Sequence, residues 1–266
     1  MNSTQRPLAA VTGASSGLGL ELARIFTAEG FDVIVGASDD DGARRARQAL
    51  GESGPGSVVD AVGADLATED GVDRFYEAIS AQERPLAAIA LNAGIGLGGR
   101  FVETDLDTEL RLIRTNVEST VHLAKHVVPG MVERGEGRVL ITSSIAATHP
   151  TPYEAVYGAS KAFDRWFAEA LHHELSETGV TVTALMPGPT ETNFFHRADM
   201  DDTKIGESSK DDPAEIARAG FDAMMAGEDK VQPKLANKLL GEAGRFVSDK
   251  AGATAHAQLA EPGSGS

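Results

Sequence analysis

Short apolar runs alternate along this chain with longer stretches whose apolar residues recur at helical spacing. Leu8 to Thr12 reads as a short buried strand, and Leu18 to Ala28 as a helix with Leu22, Ile25 and Phe26 on one face. Val33-Ile34-Val35, Ser57 to Ala64, Leu86 to Leu91, Arg138 to Thr142 and Val180 to Leu185 read as further strands. Between them, helical patterns cover Gly42 to Leu50, Gly71 to Ala81, Thr104 to Arg134 and Ala155 to Ser176. Pro129 predicts a bend in the longest of these. Regular alternation with apolar strands predicts an α/β fold: a doubly wound, mostly parallel sheet of about seven strands, with helices on both faces. No linker divides the chain, so residues 1–250 are expected to form a single domain. Residues 251–266 are rich in small side chains and are expected to be a frayed, partly disordered tail. Pro187 to Pro213 is a long acidic loop, of the kind that is functional or mobile.

Composition narrows the function. The chain has 266 residues, 41% of them hydrophobic, which supports a real core. It has no cysteine, which excludes disulfides and thiolate zinc sites and suits a reducing compartment. A formal charge of −16 disfavours nucleic acid and anionic lipid as partners. Met1 to Pro7 is polar, and no apolar run approaches the roughly 18 residues of a membrane span. A soluble, cytoplasmic protein with no membrane partner is the expectation.

The chemistry is concentrated around Tyr157-Gly158-Ala159-Ser160-Lys161. Residues four apart share a helix face. A free phenol titrates near pH ~10, too high for a base at neutral pH, and an ammonium beside it would lower that value. Ser144, upstream, offers a hydroxyl that can hold a carbonyl oxygen. Together these could move a proton on and off an alcohol. Thr12-Gly13-Ala14-Ser15-Ser16-Gly17-Leu18-Gly19 lies between the first strand and the first helix. Glycines there allow backbone to approach a pyrophosphate, and the helix N-terminus offers free N–H groups to it. The first glycine gap is one residue longer than in the usual dinucleotide fingerprint.

With Asn92-Ala93-Gly94, Asn116 and Pro187-Gly188, these motifs resemble the single-domain branch of the short-chain dehydrogenase/reductase family, in order and spacing, over residues 7 to about 195. The resemblance implies a Rossmann-like fold and an NAD(P)(H)-dependent oxidoreductase acting on a small-molecule alcohol or carbonyl. It makes Tyr157 the general acid/base. Lys161 would lower the Tyr157 pKa and bond the nicotinamide ribose, Ser144 would hold the substrate oxygen, and Asn116 would bind a relay water. Implied cofactor contacts are Gly13, Ser15, Ser16, Gly17, Leu18 and Gly19 in the loop, with Ser38 after the second strand. Asp65 and Leu66, Asn92, Ala93 and Gly94, Tyr157 and Lys161, and Pro187, Gly188, Thr190 and Thr192 complete them. A non-catalytic dinucleotide-binding regulator or scaffold is the rival reading.

The position that would select NAD(H) by an acidic side chain is Ala37, followed by Ser38 and then Asp39, Asp40 and Asp41. The missing selector favours NADP(H) over NAD(H). The family's closing Asp-Gly-Gly is absent from Gly227 to Pro233, and a helical pattern follows from Lys234 to Phe246. A homodimer, or a homotetramer, through the two long helices is expected. His149, Pro150, Tyr153, Ile95, Leu97, Phe194 and Phe195 are candidate pocket residues. His122 and His126 are spaced for a metal, but no third ligand is evident in the sequence, so no metal site is expected.

Overall fold

The central strands are apolar on both faces, so helices must cover both. The computed structural model describes residues 5–51, 54–233 and 248–265. Its strands are β1 (Leu8–Val11), β2 (Asp32–Ala37), β3 (Val58–Gly63), β4 (Leu86–Leu91), β5 (Gly137–Thr142), β6 (Val180–Leu185) and β7 (Lys230–Val231). They form one sheet in the order β3-β2-β1-β4-β5-β6-β7, and every pairing is parallel.

The helices are α1 (Gly17–Ala28), α2 (Asp40–Leu50), α3 (Glu69–Ser80), α4 (Leu106–Ile113), α5 (Ser119–Arg134) and α6 (Ala155–Glu174). After β6 come α7 (Phe194–Arg197), α8 (Lys204–Glu207), α9 (Pro213–Ala226) and α10 (Asp249–Ala260). Alternate strand residues point to opposite faces. Ala10, Ile34, Ile89 and Ile141 pack with Phe75 of α3 and with Leu123 and Met131 of α5. Ala9, Val11, Val33 and Leu140 pack with Leu22 and Phe26 of α1, Leu50 of α2 and Phe221 of α9. Strand order reverses direction between β1 and β4, which opens a crevice at the carboxyl ends of those strands.

Three expectations are corrected. The helix expected over 104–134 is divided by a five-residue π turn, Arg114–Glu118, while Pro129 sits inside α5 without breaking it. The cause is Asn116. Its Oδ1 accepts from Ile95 N at 2.9 Å, and its Nδ2 donates to Ile95 O at 2.9 Å and to Ser160 Oγ at 3.0 Å. The widened turn carries that side chain to the end of β4. The acidic loop is ordered by α7 and α8, with Phe195 and Met200 buried together. The segment expected to fray carries α10, with His256 and Ala260 buried. Its small residues serve close packing. A Cβ on Gly252 would lie 2.9 Å from that of His149. The pattern from Lys234 to Phe246 lies outside the described residues.

Leu106, Leu110 and Ile113 of α4 and Phe163 and Trp166 of α6 stay exposed, on the two helices expected to carry a subunit contact.

Helix α10 is tied to the start of α6 by a buried contact, His256 Nε2 to Glu154 Oε2 at 2.9 Å. A double-mutant cycle with Glu154→Gln and His256→Gln should give a coupling energy of about 0.5–3 kcal/mol in urea unfolding. Additivity within about 0.3 kcal/mol would show that the pair does not hold the helix.

Candidate active site

The crevice is built by Thr12. Its hydroxyl accepts from Asn92 N and Ala93 N, both at 2.9 Å, and so ties the end of β1 to the end of β4. Asn92 Nδ2 donates to Thr12 O at 3.2 Å, and Thr142 Oγ1 donates to Asn92 Oδ1 at 3.1 Å, which brings in β5. Above this floor, Gly13 and Gly17 take left-handed φ values of 67° and 55°. A Cβ at Gly19 would collide with Gly13 O and the Asn92 side chain. These glycines bring backbone close to whatever lies over the N-terminus of α1.

Every residue expected to meet the cofactor lines one cavity of about 1090 Å³. Ser144 lines it too, whereas Asn116 is fully buried behind it, with both amide hydrogens spent on protein. Of the residues from Ala37 to Asp41, Ala37 and Ser38 reach the cavity. Asp39 instead caps α2, accepting from Gly42 N at 2.6 Å and from Ser38 Oγ at 3.1 Å, and those bonds hold its carboxyl below the usual range. Asp65 is gripped by Arg111, whose Nη2 lies 2.9 and 3.0 Å from its two carboxylate oxygens. Thr190 donates to Gly188 O at 2.9 Å, and Thr192 accepts from Phe194 N at 3.2 Å and packs over Gly17.

The reactive hydroxyls come from two turns. Ser144 precedes a short 3-10 turn, Ile145–Thr148, and accepts from Ala146 N at 3.1 Å. Tyr157 enters from the first turn of α6. That helix can start so close to the cavity because residue 158 is a glycine, since a Cβ there would strike Thr151. The Ser144 hydroxyl neighbours the Tyr157 phenol, and the Phe194 ring lies 5.2 Å from the phenol ring. Lys161 Nζ donates to Thr142 O and to Asp164 Oδ2, each at 2.9 Å, and a Cβ on Gly94 would stand 3.2 Å from it.

The expected lowering of the Tyr157 pKa is not what this environment gives. Burial pushes the phenol well above its ordinary value, and the Glu154 and Asp164 carboxylates add to the rise. The opposing pull comes from the Ser144 hydroxyl. Lys161 is occupied by Asp164, whose own carboxyl burial pushes up while the ammonium holds it down. His149, 5.5 Å ring to ring from His256, is pushed down by burial and by that neighbour, and is neutral at pH 7.

Of the candidate pocket residues, Ile95, His149, Phe194 and Phe195 line the cavity. Leu97 packs with the cluster around Tyr157 and Tyr153 with the one around Phe195, and Pro150 is not in the lining. His122 and His126 do gain a third neighbour. Asp73 Oδ1 lies 3.7 and 3.3 Å from their Nε2 atoms, in a half-exposed contact of α3 with α5. Sequence reasoning missed Glu154, Arg111, His256 and Leu259 in the cavity wall, and Asp164 behind it. The last had a signal in the sequence, an acid one helical turn after Lys161.

Residues 7–203 match the family model described as short chain dehydrogenase. The "Probable oxidoreductase EphD" of Mycobacterium tuberculosis is 33% identical over 204 residues, covering 74% of this chain but only 34% of its own length. This chain therefore matches about a third of that relative. A short-chain dehydrogenase from Sphingobium yanoikuyae, solved with NADPH, superimposes with a TM-score of 0.78 at 26% identity, covering 90% of this chain and 93% of that one. The bulky-bulky ketone specific alcohol dehydrogenase from Comamonas testosteroni gives 0.76 at 26% identity, over 91% and 94%. The match of the family model to most of the chain, on a sheet and crevice of this form, makes the protein a member of the short-chain dehydrogenase/reductase family.

Proposed function

We propose that the protein interconverts a secondary alcohol and a ketone with NADP(H), with Tyr157 as general acid/base. The observation that carries this is that the Ser144 and Tyr157 hydroxyls line the same cavity as the glycine loop. The cradle suits a dinucleotide. Gly13, Gly17 and Gly19 leave backbone bare over the N-terminus of α1, where a pyrophosphate would lie. Asn92, Ala93 and Gly94 would flank the nicotinamide ribose, and Pro187, Gly188, Thr190 and Thr192 the carboxamide. Asp65 and Leu66 would meet the adenine. The bound cofactor supplies or accepts the hydride.

The chain's own residues hold the oxygen and the proton. Ser144 donates to the carbonyl oxygen and fixes its place. Tyr157 delivers its proton to the same oxygen in reduction and takes it back in oxidation. Acid–base help of this kind is worth about 10²–10⁴-fold. Lys161, held by Thr142 and Asp164, presents its remaining N–H toward the Gly94 side of the crevice, where it would bond the ribose. Ile95, Ile145, Phe194, Phe195 and Leu259 make the wall largely apolar, which suits a ketone with bulky flanks. The likeness to the Comamonas enzyme supports that substrate class.

NADP(H) is preferred in this reading because Ser38, uncharged, faces the cavity, while Asp39 is turned to capping α2. Turnover of a bulky aryl ketone should show a higher kcat/KM with NADPH than with NADH, and Ser38→Asp should reverse the order. A preference for NADH in the unaltered protein would contradict it. Tyr157→Phe should cut turnover by at least about 10²-fold while NADPH still binds with near-native affinity by fluorescence titration. Full activity in that variant would refute the assignment.

A further inference from the structure

The feature that the proposed chemistry leaves unused is a buried carboxylate. Asp164 is 1% exposed on α6 and lies one turn beyond Lys161. Its Oδ2 accepts from Lys161 Nζ at 2.9 Å. Its Oδ1 has no hydrogen-bond partner among the described residues. A carboxylate so enclosed needs a cation, and the one beside it is the lysine of the active site. Lys161 spends a second N–H on Thr142 O, so two of its three donors point into protein.

We infer that Asp164 is a positioning residue and the built-in counter-ion of Lys161: it fixes the ammonium between β5 and α6 and offsets the charge that Lys161 presents to Tyr157. The inference rests on the oxidoreductase reading above and deepens it by naming the group that governs proton transfer at Tyr157. An ammonium alone beside a phenol favours the phenolate, the form that takes a proton from an alcohol. An ammonium cancelled at 2.9 Å by a buried anion exerts much less of that pull. The field of Asp164 reaches Tyr157 and adds to the rise in its pKa. The other titratable and charged groups in the cavity wall are Glu154 at the start of α6, His149 after the 3-10 turn, His256 on α10, Arg111 on α4 with its partner Asp65, Arg165 on α6, Arg197 on α7 and Lys230 on β7. None of these replaces Asp164 at Lys161 Nζ, which donates to Thr142 O and Asp164 Oδ2.

Asp164→Asn keeps the shape and removes the charge. Alcohol oxidation with NADP⁺ should then begin at a pH lower by about one unit or more, and ketone reduction should begin to fall off at a pH lower by as much. A merely structural role would lower the melting temperature and leave both profiles in place. Superimposable profiles in a folded variant would overturn the inference. Asp164→Glu, which restores the charge, should move the profile back toward that of the unaltered protein. If Asp164→Asn does not fold, Asp164→Ser should show the same acid shift, and failure of both to fold would mark Asp164 as a packing residue and also overturn the inference.

The inference can be read without turnover. The chain has three tyrosines, so a phenolate absorbance titration at 295 nm, each protein minus its Tyr157→Phe counterpart, isolates Tyr157. Its step should come at lower pH in Asp164→Asn than in the unaltered background. Equal steps, or no step in either up to about pH 11, would count against the counter-ion. An unaltered protein that turns over no ketone would sink the proposed function instead, and this titration would still decide the role of Asp164.

Discussion

One ammonium group in a dry interior organises the catalytic end of this molecule. Lys161 is 4% exposed, and a charge so placed has to be met by fixed partners. Thr142 O at the end of β5 and Asp164 one turn along α6 meet it. Breaking a buried ion pair by removing one member typically costs about 3–5 kcal/mol, because the survivor is left unpaired. The pair therefore fixes how α6 lies against β5, and with that the position of Tyr157 one turn before the lysine. Ser143 reinforces the alignment, its hydroxyl donating to Lys161 O at 2.7 Å.

The rest of the site is arranged around this anchor by backbone. Thr12 and Asn92 knit the ends of β1, β4 and β5 into the floor of the crevice. Asn116 leaves a π turn to clamp Ile95 on the far side of Gly94, and it reaches Ser160, the neighbour of Lys161. The role implied for Asn116 by resemblance is that of a water holder. In the structure its side-chain amide hydrogens bond Ile95 O and Ser160 Oγ. Helix α10 then adds to the wall of the same cavity, with His256 on Glu154 and Leu259 in the lining.

Much of this was legible in the sequence. The strand and helix pattern predicted the sheet because each buried strand is a short apolar run, and the glycine loop and Tyr157 with Lys161 could be placed by spacing alone. What was not legible depends on contacts between distant segments. The break at Asn116 comes from a hydrogen bond to Ile95, which helical periodicity cannot register, so Pro129 drew the expectation instead. The small residues of α10 looked like a frayed end because they carry little apolar area of their own. One of them, Gly252, lies against His149, where a Cβ would be too close. The pKa of Tyr157 was misjudged for a similar reason. Sequence spacing shows that a lysine is near, but not that the phenol is buried, nor that the Glu154 and Asp164 carboxylates add to the rise.

The central claim is that these residues hold a carbonyl so that hydride and proton reach it together. The most direct measurement is the fate of the label when the protein reduces a bulky aryl ketone with NADPH deuterated at nicotinamide C4, on each face in turn. The account predicts product alcohol carrying one deuterium on the carbinol carbon from one face only, with the hydroxyl proton drawn from solvent. Consumption of NADPH without deuterium at that carbon, from either face, would contradict it.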